Sequence, residues 1–132
     1  MMNLDRYSPR MLSILRIMTG LLFLAHGTQK LLGFPASANP GAIATFSLPW
    51  FASYIEIFGG LAIILGLFTR PVAFILAGEM AAAYFLAHLP RDFFPVRNGG
   101  DAAILFCFIF LFLVTAGPGP WSVDAMRAKA AA

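Results

Sequence analysis

The sequence predicts an all-α integral membrane protein, an antiparallel four-helix bundle forming a single membrane domain over residues 1–132. Three observations predict it. First, 60% of the 132 residues are hydrophobic and only 11% are charged, against about 45–50% and about 25% in a typical soluble domain. Second, a chain of this length buries only about two-thirds of its unfolded surface. So few charges cannot cover a water-facing exterior, and the same composition excludes disorder. Third, the apolar residues gather in four runs close to the roughly 20 residues that a helix needs to cross about 30 Å of hydrocarbon.

The first run covers residues 11–32. It is expected to be retained rather than cleaved, because Arg16 interrupts it and no small-residue cleavage site follows. The second covers residues 48–68. The third covers 71–89, starting at Pro71, a good first-turn residue, and stopping before Pro90. The second and third are joined almost directly through Thr69-Arg70, so they are antiparallel neighbours. The fourth covers 101–116 and is ended by Gly117-Pro118-Gly119-Pro120; its shortness implies tilt or local thinning of the bilayer. Loop 33–47 carries no charge, contains Pro35, Pro40 and Gly41, and is expected along the outer interface. Loop 90–100 mixes Arg91, Asp92, Phe93, Phe94 and Arg97, as an amphipathic interfacial segment does. Residues 117–132 are expected as a cytoplasmic tail, with a short helix capped by Ser122. No repeat of 20–50 residues is visible.

Charge excludes some functions and orients the chain. Nine basic and six acidic residues give a net charge of +3, without the basic run or interleaved aromatics of a nucleic-acid surface. Arg6, Arg10, Arg70, Arg127 and Lys129 fall on the side of the termini. Arg91 and Arg97, with Lys30 at most, fall on the other. The excess predicts cytoplasmic termini. Trp50 and Trp121 lie near span ends, where an interfacial ring is favoured. One cysteine, Cys107, rules out an internal disulfide or a dithiol centre, and no metal site is expected.

The informative charges are those inside the spans. Arg16 and Lys30 lie in the first, Glu56 in the second and Glu79 in the third. A central charge costs about 2.5–3.5 kcal/mol on insertion scales, so such residues face a bundle interior or a wet cavity and are functional candidates. Arg16, Gly20, Phe23, Gly27 and Lys30 recur at intervals of four and three, one packed seam, on which glycine permits close helix approach. Glu56 shares a face with Gly60, and Glu79 with Ala83. At about 1.5 Å per residue, Glu56 and Glu79 fall near the midplane and His26 and Lys30 above it, with Asp101 starting the fourth span. These five can point into one outer-half cavity. Each also has a structural alternative. Arg16 and Lys30 can snorkel to headgroups. Glu56 and Glu79 can form an ion pair or a neutral, hydrogen-bonded carboxyl. His26 can be a packed, hydrogen-bonded histidine, and Asp101 a helix cap after Asn98-Gly99-Gly100. His88 and Cys107 read as structural.

These residues resemble the DoxX family of small bacterial membrane proteins. The resemblance is carried by Arg16 with Gly20, His26-Gly27-Thr28-Gln29-Lys30-Leu31, Glu56-Ile57-Phe58-Gly59-Gly60, Leu65-Gly66-Leu67-Phe68-Thr69-Arg70, Asn98-Gly99-Gly100-Asp101 and Gly117-Pro118-Gly119-Pro120-Trp121-Ser122-Val123-Asp124. It implies a four-helix protein of the bacterial cytoplasmic membrane. It also implies motif roles for Arg16, His26, Lys30, Glu56 and Arg70, while Asp101 stands where the family more often has Glu. Some relatives are membrane subunits of a thiosulfate:quinone oxidoreductase, and others belong to oxidative-stress or thiol-handling complexes.

The expected function is therefore a membrane subunit of a quinone- or thiol-linked oxidoreductase system. Glu56 and His26 are its catalytic candidates, Lys30, Glu79 and Asp101 its ligand-binding ones, and Arg16, Gly20, Gly27, Gly60 and Arg70 its structural ones. The chain has no evident redox centre, so electrons require a protein partner or a bound cofactor such as quinone. A non-enzymatic membrane scaffold or assembly subunit of a larger complex is the alternative; beside the lipid bilayer, a protein partner or a homo-oligomer is expected. A small-solute or proton transporter ranks third, and a haem held by His26 and His88 is remote.

Overall fold

A computed structural model of the chain describes residues 3–38 and 41–132, and among them every regular element is helical. Pro40, cited above in the first loop, lies outside the described residues. Helix α1 (Ser8–Leu32) follows a 3-10 turn at Asp5–Tyr7 and has Pro9 in its first turn, where a missing N–H costs nothing. Its end at Gly33, with φ of 68°, uses a left-handed conformation that glycine adopts without a Cβ penalty.

Helix α2 (Leu48–Leu65) starts under a Ser47 cap, whose Oγ accepts from Trp50 N–H at 3.4 Å. It ends at Gly66 in the left-handed region, which leaves Leu67 and Phe68 outside the helix and shortens the expected span. Helix α3 (Thr69–Ala83) continues through one π-helical turn, Tyr84–His88, that hydropathy alone does not reveal. A single turn, α4 (Pro95–Asn98), precedes α5 (Asp101–Ala116), and α6 (Val123–Ala131) closes the chain.

Three stretches, Asp5–Leu32, Leu48–Leu65 and Thr69–His88, are long and apolar enough to cross a membrane. Helix α5 is equally apolar but has only 16 residues, about 24 Å at 1.5 Å per residue. Helix α1 packs along α2, and α3 along α5; smaller contacts of α2 with α3 and of α1 with α5 join the two pairs. Phe23 of α1 lies edge-on to Phe106 and Phe110 of α5, with ring centroids at 5.5 and 5.0 Å, and Ile63, Leu76 and Leu113 complete the centre.

The burial pattern is that of a lipid-facing molecule. Ser13, Arg16, Thr19, Ser53 and Glu56 are buried, whereas Met11, Met18, Leu22 and Phe58 are exposed on the same helices, as are Phe74 on α3 and Phe108 on α5. In water such a surface would be a far larger apolar patch than soluble monomers carry. In hydrocarbon it is the favourable one, and the polar side chains turn inward for partners.

Candidate functional site

Polar side chains form two constellations, one at the end carrying the termini and one at the opposite end. The first begins with the α1–α2 seam. A Cβ at Gly20 would lie 2.9 Å from the Ile64 nitrogen, and one at Gly60 3.1 Å from Leu24 Cα. This close approach lets Arg16, fully buried, reach the end of α2. Its Nη1 donates to the carbonyls of Ile63 and Ile64, both at 2.6 Å, its Nε to Pro118 O at 2.7 Å, and its Nη2 to Trp121 O. Ile63 and Ile64 belong to the last turn, where a cation is favoured; Ile63 O also accepts from Gly66 N–H at 3.1 Å. Arg16 therefore does not snorkel, and its direct partners are carbonyls rather than a carboxylate.

Arg70 repeats the arrangement on the other pair. Its Nη1 donates to Val114 O at 2.6 Å and Thr115 O at 2.7 Å, at the end of α5. Asp124 supplies the opposite charge where it is needed, at the start of α3. Its Oδ1 accepts from Phe68 N–H at 2.9 Å and its Oδ2 from Thr69 N–H at 2.8 Å, while its own N–H donates to Gly66 O at 2.9 Å. Burial alone pushes the Asp124 carboxyl up. The hydrogen bonds from Thr69 and Phe68 and the charge of Arg127 outweigh that and hold it below its ordinary value.

Trp121 N–H also donates to Ser13 Oγ at 3.1 Å. Residues 117–124 thus pack as a clasp across helix ends. Ser13 and Asp124 were missed as site-forming residues. The signal available was the string from Gly117 to Asp124, which reads equally well as a chain terminator and helix cap.

The opposite end holds the candidate ligand site. Gly27 brings α1 so close to α2 that an added Cβ would lie 2.9 Å from the Ile57 nitrogen and from Glu56 Cβ. One turn on, Lys30 Nζ donates to Glu56 Oε1 at 2.5 Å, with Lys30 37% exposed and Glu56 only 2%. On the other flank, Leu76 of α3 presses on Gly59 of α2. Glu56 precedes Gly59 by one turn and Glu79 follows Leu76 by one turn, so antiparallel helices bring the two carboxylates to the same level. The charges of Glu56 and Lys30 both act on Glu79. Glu56 Oε2 and both Glu79 oxygens are shut off from solvent and have no hydrogen-bond partner among the described residues.

A cleft of about 770 Å³ opens beside this group, lined by Gln29, Lys30, Gly33, Ser37, Ile43 and Trp50 among others. Lys30 belongs both to the cleft wall and to the ion pair.

The five-residue cavity expected from depth is only partly assembled. Lys30, Glu56 and Glu79 come together. His26 does not join them: its ring is exposed, its Nδ1 lies 2.8 Å from Leu22 O of its own helix, and it meets Phe106 edge-on at 5.6 Å. Helical rotation explains this, because His26 turns toward α5 while Gly27 and Lys30 turn toward α2.

Asp101 is exposed, and its side chain forms no hydrogen bond or ion pair among the described residues. It is the first residue of α5 and not its cap. The turn before it is held by buried Asn98, whose Oδ1 accepts from Gly100 N–H at 2.7 Å and whose Nδ2 donates to Asp92 O at 2.9 Å. His88 Nδ1 lies 3.1 Å from Asn98 O in the same turn, and Cys107 packs half-buried against the core. Among the described residues, no three His, Cys, Asp or Glu side chains are grouped to hold a metal ion.

An apolar exterior around a polar, helix-capped interior defines a helical membrane protein. Comparison with known sequences makes the class specific: the chain belongs to the DoxX family, whose profile matches residues 11–89. An uncharacterized protein of Haemophilus influenzae is 44% identical over 94% of this chain and 96% of its own length. The inner membrane protein YqjF of Escherichia coli is 28% identical over 88% of this chain and 91% of its own. CatD of Bacillus subtilis, which carries a provisional oxidoreductase name, is 31% identical over 61% of each chain. No solved structure matches.

Proposed function

We propose that the protein is a membrane subunit of a quinone- or thiol-linked oxidoreductase system in the bacterial inner membrane, with both termini cytoplasmic and the cleft beside Lys30 on the outer side. The observation that carries this reading is the Lys30–Glu56 pair at the edge of the cleft. Lys30 offers donors to a ligand oxygen, and Glu56 a carboxylate that exchanges protons with it. The cleft's volume of about 770 Å³ falls within the range of about 300–1,000 Å³ typical of small-molecule sites. The provisional oxidoreductase name of CatD agrees with this reading. Electrons come from a protein partner, since this chain supplies binding and proton handling.

The test is to isolate the tagged protein in mild detergent, identify the proteins and small molecules that accompany it, and assay the complex for quinone-dependent turnover. Glu56→Gln is expected to lower that turnover at least tenfold with assembly intact. Unchanged turnover would sink the reading.

A second reading, a non-enzymatic assembly subunit, is favoured by one observation: Arg16, Arg70 and Asp124 all cap helix ends of this chain itself. It predicts co-purification with a protein partner whose amount falls when the subunit is deleted, while Glu56→Gln has no effect.

A further inference from the structure

Two carboxyl groups, Glu56 and Glu79, are withdrawn from water at one level of the α2–α3 contact, and a single cation accompanies them. Glu56 is 2% exposed, with Oε1 held by Lys30 Nζ at 2.5 Å. Its Oε2 and both Glu79 oxygens have no hydrogen-bond partner among the described residues. The other titratable side chains of the packed helices are engaged elsewhere. On α1, His26 turns to Phe106, and on α2, Tyr54 lies edge-on to Trp50. Beyond α3, Tyr84 and His88 belong to the turn at Asn98. On α5, Asp101 is exposed at the first residue and Cys107 packs half-buried against the core. The charges that act on Glu79 are those of Glu56 and Lys30.

With both carboxyls ionised, Lys30, Glu56 and Glu79 would carry one net negative charge. An uncompensated charge away from water is so costly that the group neutralises instead, and two neighbouring carboxylates do not both ionise. One proton removes the charge and supplies a donor among the three orphan oxygens. Lys30 decides where it sits, because the ammonium stabilises the ionised form of Glu56 and leaves the proton to Glu79. We propose that Lys30, Glu56 and Glu79 form an electroneutral proton-binding site within the membrane, holding one proton on Glu79 with Glu56 Oε2 as its acceptor. Transfer from Glu79 to Glu56 Oε2 makes Glu79 the carboxylate and Glu56 the neutral acid, and the net charge stays at zero. The same transfer removes the anion that holds Lys30. The position of the proton is thereby coupled to the freedom of Lys30, which lines the cleft.

The use made of this proton rests on the proposed function; the proton itself can be counted without substrate or partner. The experiment is infrared difference spectroscopy of the full-length protein at neutral pH, in a detergent that carries no carbonyl group. The number of bound protons should equal the carboxyls of the group minus its ammoniums. Wild-type protein is expected to show one carboxylic-acid carbonyl band that shifts in deuterated water and is lost in Glu79→Gln. Lys30→Met is expected to gain a second band, as the stranded Glu56 takes up a proton, and Lys30→Met with Glu79→Gln to return to one. Absence of the band from the wild-type protein overturns the proposal without recourse to a variant. So does a band that survives Glu79→Gln, or one that Lys30→Met leaves unchanged. A band that appears only when sodium and potassium are replaced by choline also overturns it, since a metal cation would then occupy the site. Loss of the functional reading alone has a different signature: the carbonyl count holds, while Glu56→Gln leaves quinone-dependent turnover unchanged.

Discussion

Replacing Arg16 should be the most damaging single substitution at the end carrying the termini. Its guanidinium is fully buried and serves four carbonyls, those of Ile63, Ile64, Pro118 and Trp121. A hydrogen bond to a charged group contributes about 1.5–3 kcal/mol net. The four do not add, because removing the charge also removes its desolvation cost, and breaking a buried charge network costs about 3–5 kcal/mol. Arg16→Met is therefore expected to cost about 4 kcal/mol. Arg16→Lys keeps the charge but concentrates its donors at one point, which cannot bridge the end of α2 and the 117–121 clasp together; about 2 kcal/mol is expected. For a chain of this size about 1 kcal/mol corresponds to about 3 °C in Tm. The melting temperature of the purified protein should then fall by about 12 °C for Arg16→Met and about 6 °C for Arg16→Lys. Amide exchange should accelerate first at the last turn of α2 and at Trp121. Wild-type melting in Arg16→Met, or equal losses in the two variants, would refute the account of Arg16 as a four-carbonyl clamp.

Three further outcomes follow from the same geometry. Lys30→Met strands the buried Glu56 carboxylate and should cost about 3 kcal/mol, while Lys30→Met combined with Glu56→Gln should recover most of it; a double-mutant cycle on Tm with no coupling would contradict the pair. Gly27→Ala places a Cβ 2.9 Å from the Ile57 nitrogen, so α1 and α2 must separate at about 1–3 kcal/mol, and crosslinking of cysteines flanking this contact should slow; an unchanged rate would contradict the close seam. Asp124 titrates with a lowered folded value, so its contribution is complete above the ordinary aspartate range and is lost as pH falls through that range to the lowered value. Asp124→Ala should lose about 1 kcal/mol at neutral pH, as cap removals do, and its stability difference from wild type should shrink on acidification; a pH-independent difference would refute the cap.

Much of the fold was legible because lipid imposes a simple rule. A chain that must satisfy every backbone group internally, in runs of about 20 apolar residues, has helices as its economical solution. The seam Arg16, Gly20, Gly27, Lys30 was legible for a related reason: helical periodicity fixes which residues share a face. Partners across helices were less so. Periodicity ranks His26 beside Lys30, yet a rotation of one position decides that Gly27 faces α2 and His26 does not. Asp101 reads as a cap or as a cavity residue, yet α5 starts without a side-chain cap, after a turn that Asn98 holds through Gly100 N–H.

By itself, the sequence determined the class of protein, the helices, and the identity of the few charges withdrawn from water, since composition and period depend only on residue order. Tertiary structure alone decided what those charges do. Arg16 and Asp124 are separated by most of the chain but serve successive helix ends, the last turn of α2 and the first of α3. Lys30 closes on Glu56 and leaves Glu79 without a partner. Such pairings depend on how closely two helices approach and on which turn they meet. Packing sets those distances, and no local stretch of sequence contains them.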